Sequence, residues 1–92
     1  MTDGFDIEEQ IQELNPKAVL FRSPDMSQAL IGWGQQNTGG ETKFYAVYDY
    51  NLMVESLQND EDMSQEEAID WISYNTMGIG GDNFPIILHN ML

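Results

Sequence analysis

Few side chains in this sequence could perform chemistry at neutral pH. There is no cysteine and one histidine, His89, and histidine is the residue whose ordinary pKa lies near neutrality. No serine stands in a G-x-S-x-G sequence, which exposes the nucleophile in many hydrolases. We therefore predict no catalytic residue and no enzymatic activity, and we expect His89 to be an exposed residue.

The acidic run "NDEDMSQEE", residues 59–67, invites a metal-binding interpretation because hard cations prefer oxygen ligands. Its spacing departs from an EF-hand loop, since the loop glycine is missing and a helix start signal at Ser64 falls inside it. A solvated connector followed by the acidic first turn of a helix is the simpler interpretation. We predict no metal and no cofactor, with weak Ca²⁺ or Mg²⁺ binding as the alternative.

"GIGGDNFP", residues 78–85, is rich in glycine but is not a phosphate-binding loop. It follows a predicted helix instead of preceding one, and it lacks the Lys and Ser/Thr of a P-loop. A tight turn that leads into an edge strand is the better interpretation.

Charge is the most unusual global property, with 16 acidic and three basic residues and a formal net charge of −13. Affinity for a phosphate backbone comes mainly from Lys and Arg, so direct binding of nucleic acid is not expected. The same field repels anionic membranes and attracts basic protein surfaces. Maintenance of solubility alone is the competing explanation.

Aromatic residues are numerous for a core of this size. They are Trp33, Phe44, Tyr45, Tyr48, Tyr50, Trp71, Tyr74 and Phe84. Most should be core residues, but two or three of Trp33, Trp71 and Tyr74 are candidates for an exposed patch, since Trp and Tyr are frequent at binding sites.

Length and composition predict one domain, residues 1–92, with 41% hydrophobic residues to form a core. No export signal and no run of eighteen apolar residues is present, so we expect a soluble, cytoplasmic protein with no membrane partner.

The first half of the chain predicts one helix and three strands. Ile7, Ile11 and Leu14 make an amphipathic helix that Pro16 ends. Three segments favour strands, and the polar sequence between the last two favours an exposed hairpin loop. The predicted strands are residues 17–22, 27–34 and 43–49.

The second half predicts a helical hairpin and a short strand. Asp49 is a good N-cap for a helix with an apolar stripe, and Ser64 with Glu67 forms a capping box for the next helix. Gly78 should follow that helix, and Pro85 should start an edge strand at residues 86–88. The expected fold is α+β: a small antiparallel sheet of three to four strands packed with an N-terminal helix and a helical hairpin.

Four segments in order carry a resemblance: "ALIGWG", "AVYDYNLMVESL", "MSQEEAIDWISYNTMG" and "GDNFPIIL". In them the chain resembles a group of small acidic phage-encoded proteins without assigned function. The likeness covers residues 29 to 88 and brings no catalytic residues. It implies a viral gene expressed in a host cell, of the kind that blocks host proteins, as anti-CRISPR proteins do.

Two main hypotheses about function follow, and an enzyme whose site these motifs miss is the third. The first is a non-enzymatic inhibitor that imitates nucleic acid and binds a host defence or nucleic-acid-handling protein through a basic surface on that partner. Its partner-binding candidates are Glu8, Glu9, Glu13, Asp60, Glu61, Asp62, Glu66, Glu67, Asp70, Trp71 and Tyr74. The alternative is a phage structural or assembly accessory that forms homo-oligomers through exposed aromatics and the edge strand after Pro85.

Overall fold

The computed structural model describes residues 4–22, 24–76 and 83–89. Its helices are α1 (Gly4–Leu14), α2 (Tyr50–Asp60) and α3 (Gln65–Thr76), and a 3₁₀ turn lies at Ser27–Ala29. Its strands are β1 (Leu30–Thr38), β2 (Glu41–Asp49) and β3 (Ile86–Leu88). The α+β class with a small sheet is confirmed, as are the N-terminal helix and the helical hairpin.

Strands β1 and β2 form an antiparallel hairpin that is longer than expected. Thr38 pairs with Glu41, so the loop is only Gly39 and Gly40, whose φ angles are +57° and +85°. Positive φ at both central positions is the geometry of a two-residue type I′ turn. The prediction of a long polar loop was wrong, because glutamine and asparagine can occupy an exposed strand when the turn itself is formed by glycines.

The short strand β3 completes the sheet in the order β1-β2-β3, pairing with β2 in parallel. The sheet is therefore mixed, not purely antiparallel as expected, and β2 is its central strand, which fits the apolar residues on both of its faces. β3 begins directly after Pro85 at an edge, which confirms that expectation. Gly34 marks a close approach, since a Cβ there would lie 3.1 Å from Ile86 Cδ1.

Residues 17–22 do not form the predicted strand. The Val19 N–H donates to the Asn83 carbonyl at 2.8 Å, and Arg22 forms only an isolated bridge with Asp25. The Phe21 N–H donates to the hydroxyl of Tyr48 at 2.9 Å. The segment's backbone is thus held by a carbonyl and a side chain instead of a sheet ladder, and β-propensity alone could not foresee that.

The core lies between the helices and one face of the sheet. Helix α1 packs on β1 and β2, α2 packs on β2 and the 3₁₀ turn, and α3 packs on α2. The largest fully buried side chains are Ile11, Met26, Tyr48, Met53 and Leu57. Burying each of the aliphatic ones contributes about 1.5–3 kcal/mol.

Both predicted N-terminal caps of the hairpin helices are present. Asp49 accepts a hydrogen bond from the Leu52 N–H at 3.0 Å and starts α2. Ser64 and Glu67 form the reciprocal capping box at the start of α3. The expected C′ residue, Gly78, lies outside the described residues, as does most of the expected glycine-rich turn.

Candidate interaction surface on the third helix

One face of α3 carries both acidic and aromatic candidates. Glu67, Asp70, Trp71 and Tyr74 follow the i, i+3, i+4, i+7 spacing that places side chains on one side of a helix. With Met63 and Asn75 they line a shallow, open groove of about 470 Å³. Ala68 and Ile72 of the same helix are buried in the core. We call this groove and its six lining residues the α3 groove.

The two aromatic side chains of the α3 groove differ in burial. Trp71 is half-buried and packs against the core, whereas Tyr74 is 80% exposed. Asn75 donates from Nδ2 to the Trp71 carbonyl at 2.8 Å, which ties the groove's end to the helix backbone. The Trp71 side chain is therefore held in place by the core, whereas the Tyr74 side chain is exposed to solvent.

The acidic connector between α2 and α3 has a defined conformation. Asp60 accepts a hydrogen bond from the Ser56 hydroxyl at 3.2 Å. At the end of α2, the Glu61 N–H donates to the Leu57 carbonyl at 3.1 Å. Asp62 has a φ of 58°, the left-handed conformation that Asp tolerates better than most residues. These three exposed carboxylates come just before the N-terminus of α3, next to Met63 of the α3 groove.

Glu67 caps the start of α3 as well as being a candidate for partner binding. Its Oε1 accepts from the Ser64 N–H at 2.9 Å, while its own N–H donates to the Ser64 hydroxyl at 3.1 Å. Hydrogen bonding to the Ser64 backbone N–H, with a smaller contribution from its hydroxyl, lowers the pKa of Glu67. Replacing Glu67 would therefore disturb the start of α3.

The α1 candidates lie on a different element from the α3 groove. Glu9 and Glu13 are exposed, and Glu8 is half-buried and lines a cavity of about 280 Å³ with Arg22, Asp25 and Ser27. Helix α1 packs on the sheet, whereas α3 packs on α2. The two predicted acidic sets therefore belong to separate surfaces, and the basic residue Arg22 adjoins the first of the two.

The distribution of charge along the chain distinguishes these surfaces. Lys17, Arg22 and Lys43 are the three basic residues, and none follows residue 43. From residue 49 to residue 76 the chain has eight carboxylates and no Lys or Arg. Glu66 extends the acidic surface on the neighbouring face of α3 and is exposed, like Asp70.

Two groove residues were not predicted from the sequence, Met63 and Asn75. Met63 precedes the capping residue Ser64, a position where an apolar side chain often packs against the first turns of the helix. That signal could have placed it beside the groove. Trp33, the third aromatic candidate, lies far along the chain on β1 and is not a groove residue.

His89 is exposed, as expected, and its ring stacks on Tyr50 with 4.3 Å between the ring centroids. Within residues 4–22, 24–76 and 83–89, no group of three or more acidic or histidine side chains is placed to hold a metal ion. No helix in the same ranges is both long and apolar enough to cross a membrane.

Comparison with protein-family models, with curated proteins and with solved structures finds no match for this chain.

Proposed function

We propose that the protein is a non-enzymatic inhibitor that binds a basic surface on a host defence or nucleic-acid-handling protein, as anti-CRISPR proteins do. The observation that carries the proposal is the α3 groove, where exposed carboxylates surround an anchored tryptophan and an exposed tyrosine. Carboxylates supply attraction and orientation, while buried aromatic anchors supply most of the affinity at protein interfaces.

The acidic stretch from residue 49 to residue 76 supports imitation of nucleic acid. Seven of its eight carboxylates are exposed, and no basic residue of the stretch offsets them. Such a surface repels phosphate backbones and competes with them for the same Lys and Arg side chains. The partner is then a protein with a basic groove, encountered in the cytoplasm of the host cell.

The first test is capture of partners from host lysate at two NaCl concentrations, on the order of 50 mM and 300 mM. The higher concentration screens electrostatic attraction over a shorter distance. The groove variant is Asp70→Asn with Tyr74→Ala. The matched control lies away from α3 and is Glu41→Gln with Val19→Ala, which removes the same charge and one exposed apolar side chain. Glu67 is left unchanged because it caps α3.

We expect wild type and control to capture the same protein at low salt, and the groove variant to lose most of it. Nucleic acid added to the captured complex should displace this chain, because both occupy one basic surface. Capture that is equal for groove variant and control, or unchanged by salt and by nucleic acid, would overturn the proposal.

A further inference from the structure

The outer side of β1 is a long sheet edge. β1 spans nine residues and pairs only with β2, and the part of the chain that the structure describes places no strand on its other side. A strand at such an edge presents a row of backbone N–H and C=O groups to solvent. These groups are a template for one more strand.

Beyond its first residues, β1 lacks the charge and the proline by which proteins often protect an edge. Its sequence, LIGWGQQNT, contains no charged residue and no proline. The irregularity between Leu30 and Gly32 lies at its start and leaves a regular run from Gly32 to Thr38. The opposite edge, β3, has only three residues and follows Pro85, so it is protected by its shortness.

Two large apolar side chains stand on β1 with more exposure than a core position has. Ile31 and Trp33 are each 42% exposed. Gln35, Gln36 and Asn37 follow, and their amides can pair across strands without charge. A strand added along the regular run would lie beside Trp33 and the amides that follow it, with Ile31 at the start of the run.

The lack of charge on β1 favours a second copy of this chain as the partner at the edge. Among the described elements longer than three residues, β1 alone has no charged residue, in a chain of net charge −13. Two copies can therefore meet along β1 without opposing carboxylates within the paired strands. An antiparallel edge is also self-complementary about a twofold axis, the commonest symmetry of homodimers.

We propose that β1 pairs antiparallel with β1 of a second copy, which joins the two three-stranded sheets into one sheet of six strands. The dimer is independent of the α3 groove, because α3 packs on α2 and none of the groove's lining residues belongs to β1. Two chains of −13 repel each other at long range, so the dimer should strengthen as salt screens that repulsion. This salt response is opposite to that expected for a basic partner.

The chain has no cysteine, so single cysteines can map the twofold axis. Residues directly opposite each other at a non-hydrogen-bonded position of an antiparallel pair have Cα atoms about 4.5 Å apart, which lies within the Cα separation of roughly 4.4–6.8 Å that a disulfide allows. In the variants, each residue from Ile31 to Asn37 is changed in turn to Cys, with Ser73→Cys on exposed α3 as the matched control. Molar mass by light scattering, across protein and NaCl concentrations, tests the unmodified chain.

We expect mass to approach that of a dimer as protein and salt rise, and oxidation to link one β1 position many-fold faster than its neighbours and Ser73→Cys. A strict monomer at high concentration and high salt would overturn the proposal. So would a dimer whose β1 cysteines link no faster than the control, or loss of a captured host protein on β1 substitution while the chain stays monomeric. None of these results depends on the groove variant, so the two proposals fail separately.

Discussion

At the scale of single residues, Tyr48 connects the central strand with the irregular segment beside it. Its side chain is fully buried, its hydroxyl accepts from the Phe21 N–H at 2.9 Å, and its ring lies 5.0 Å from that of Phe21. Burial, opposed by the Phe21 hydrogen bond, raises the pKa of Tyr48 to about 12. The neutral phenol is therefore the form that the fold stabilises.

Tyr48→Phe should lower the free energy of unfolding by about 1–3 kcal/mol, because the Phe21 N–H loses its acceptor. In wild type, the unfolded state loses the Tyr48 proton near the ordinary tyrosine pKa of 10.0, below the folded pKa of about 12. Stability is therefore full below pH 10 and falls as pH rises toward 12. Urea unfolding at several pH values measures both effects.

The control for this prediction is Tyr74→Phe, at an exposed hydroxyl on α3. It should leave stability unchanged and keep the alkaline loss seen in wild type. If Tyr48→Phe unfolds with the same free energy and the same alkaline dependence as wild type, the Phe21 contact contributes nothing.

At the scale of elements, the β1-β2 hairpin was foreseen as two strands but not at its true length. Apolar residues from Phe44 onward indicate β2. The residues that precede Lys43 are polar, so the sequence predicts a loop there. Backbone pairing needs no apolar side chain, and the Gly39-Gly40 turn sets the register through to Thr38 and Glu41. Periodicity reports burial, and therefore misses the part of a strand that is exposed.

The hairpin turn should be sensitive to side chains that resist positive φ. Gly40→Ala, at a φ of +85°, should cost roughly 1–2 kcal/mol because a Cβ disfavours the left-handed region. Gly39→Asn, at +57°, is the matched variant and should cost much less, since Asn-Gly suits this turn. Chemical unfolding compares them, and equal stability of the two variants would argue against a type I′ turn.

At the scale of the whole molecule, charge is divided unevenly. All basic residues precede residue 44, and the hairpin of α2 and α3 has only carboxylates. A net charge of −13 also opposes the compact state through self-repulsion. Acidity therefore has a cost in stability as well as a proposed use in binding.

Added NaCl should raise the thermal midpoint, since screening weakens repulsion among the carboxylates. A gain of about 1 kcal/mol would correspond to roughly 4–8 °C for a domain of this size. The variant Asp60→Asn, Glu61→Gln and Asp62→Asn should begin with a higher midpoint and respond less to salt. A wild-type midpoint that NaCl leaves unchanged would show that self-repulsion is unimportant.

By itself, the sequence determined what depends on near neighbours in the chain: the three helices, both capping interactions, the central strand and the excess of carboxylates. Tertiary structure alone decided that residues 17–22 are not a strand, that β3 runs parallel, and that Met63 and Asn75 join Trp71 and Tyr74 in one groove. The physical reason is the separation along the chain of the residues that interact. Caps and periodicity act over a few residues, whereas pairing and grooves depend on contacts between segments far apart in the chain.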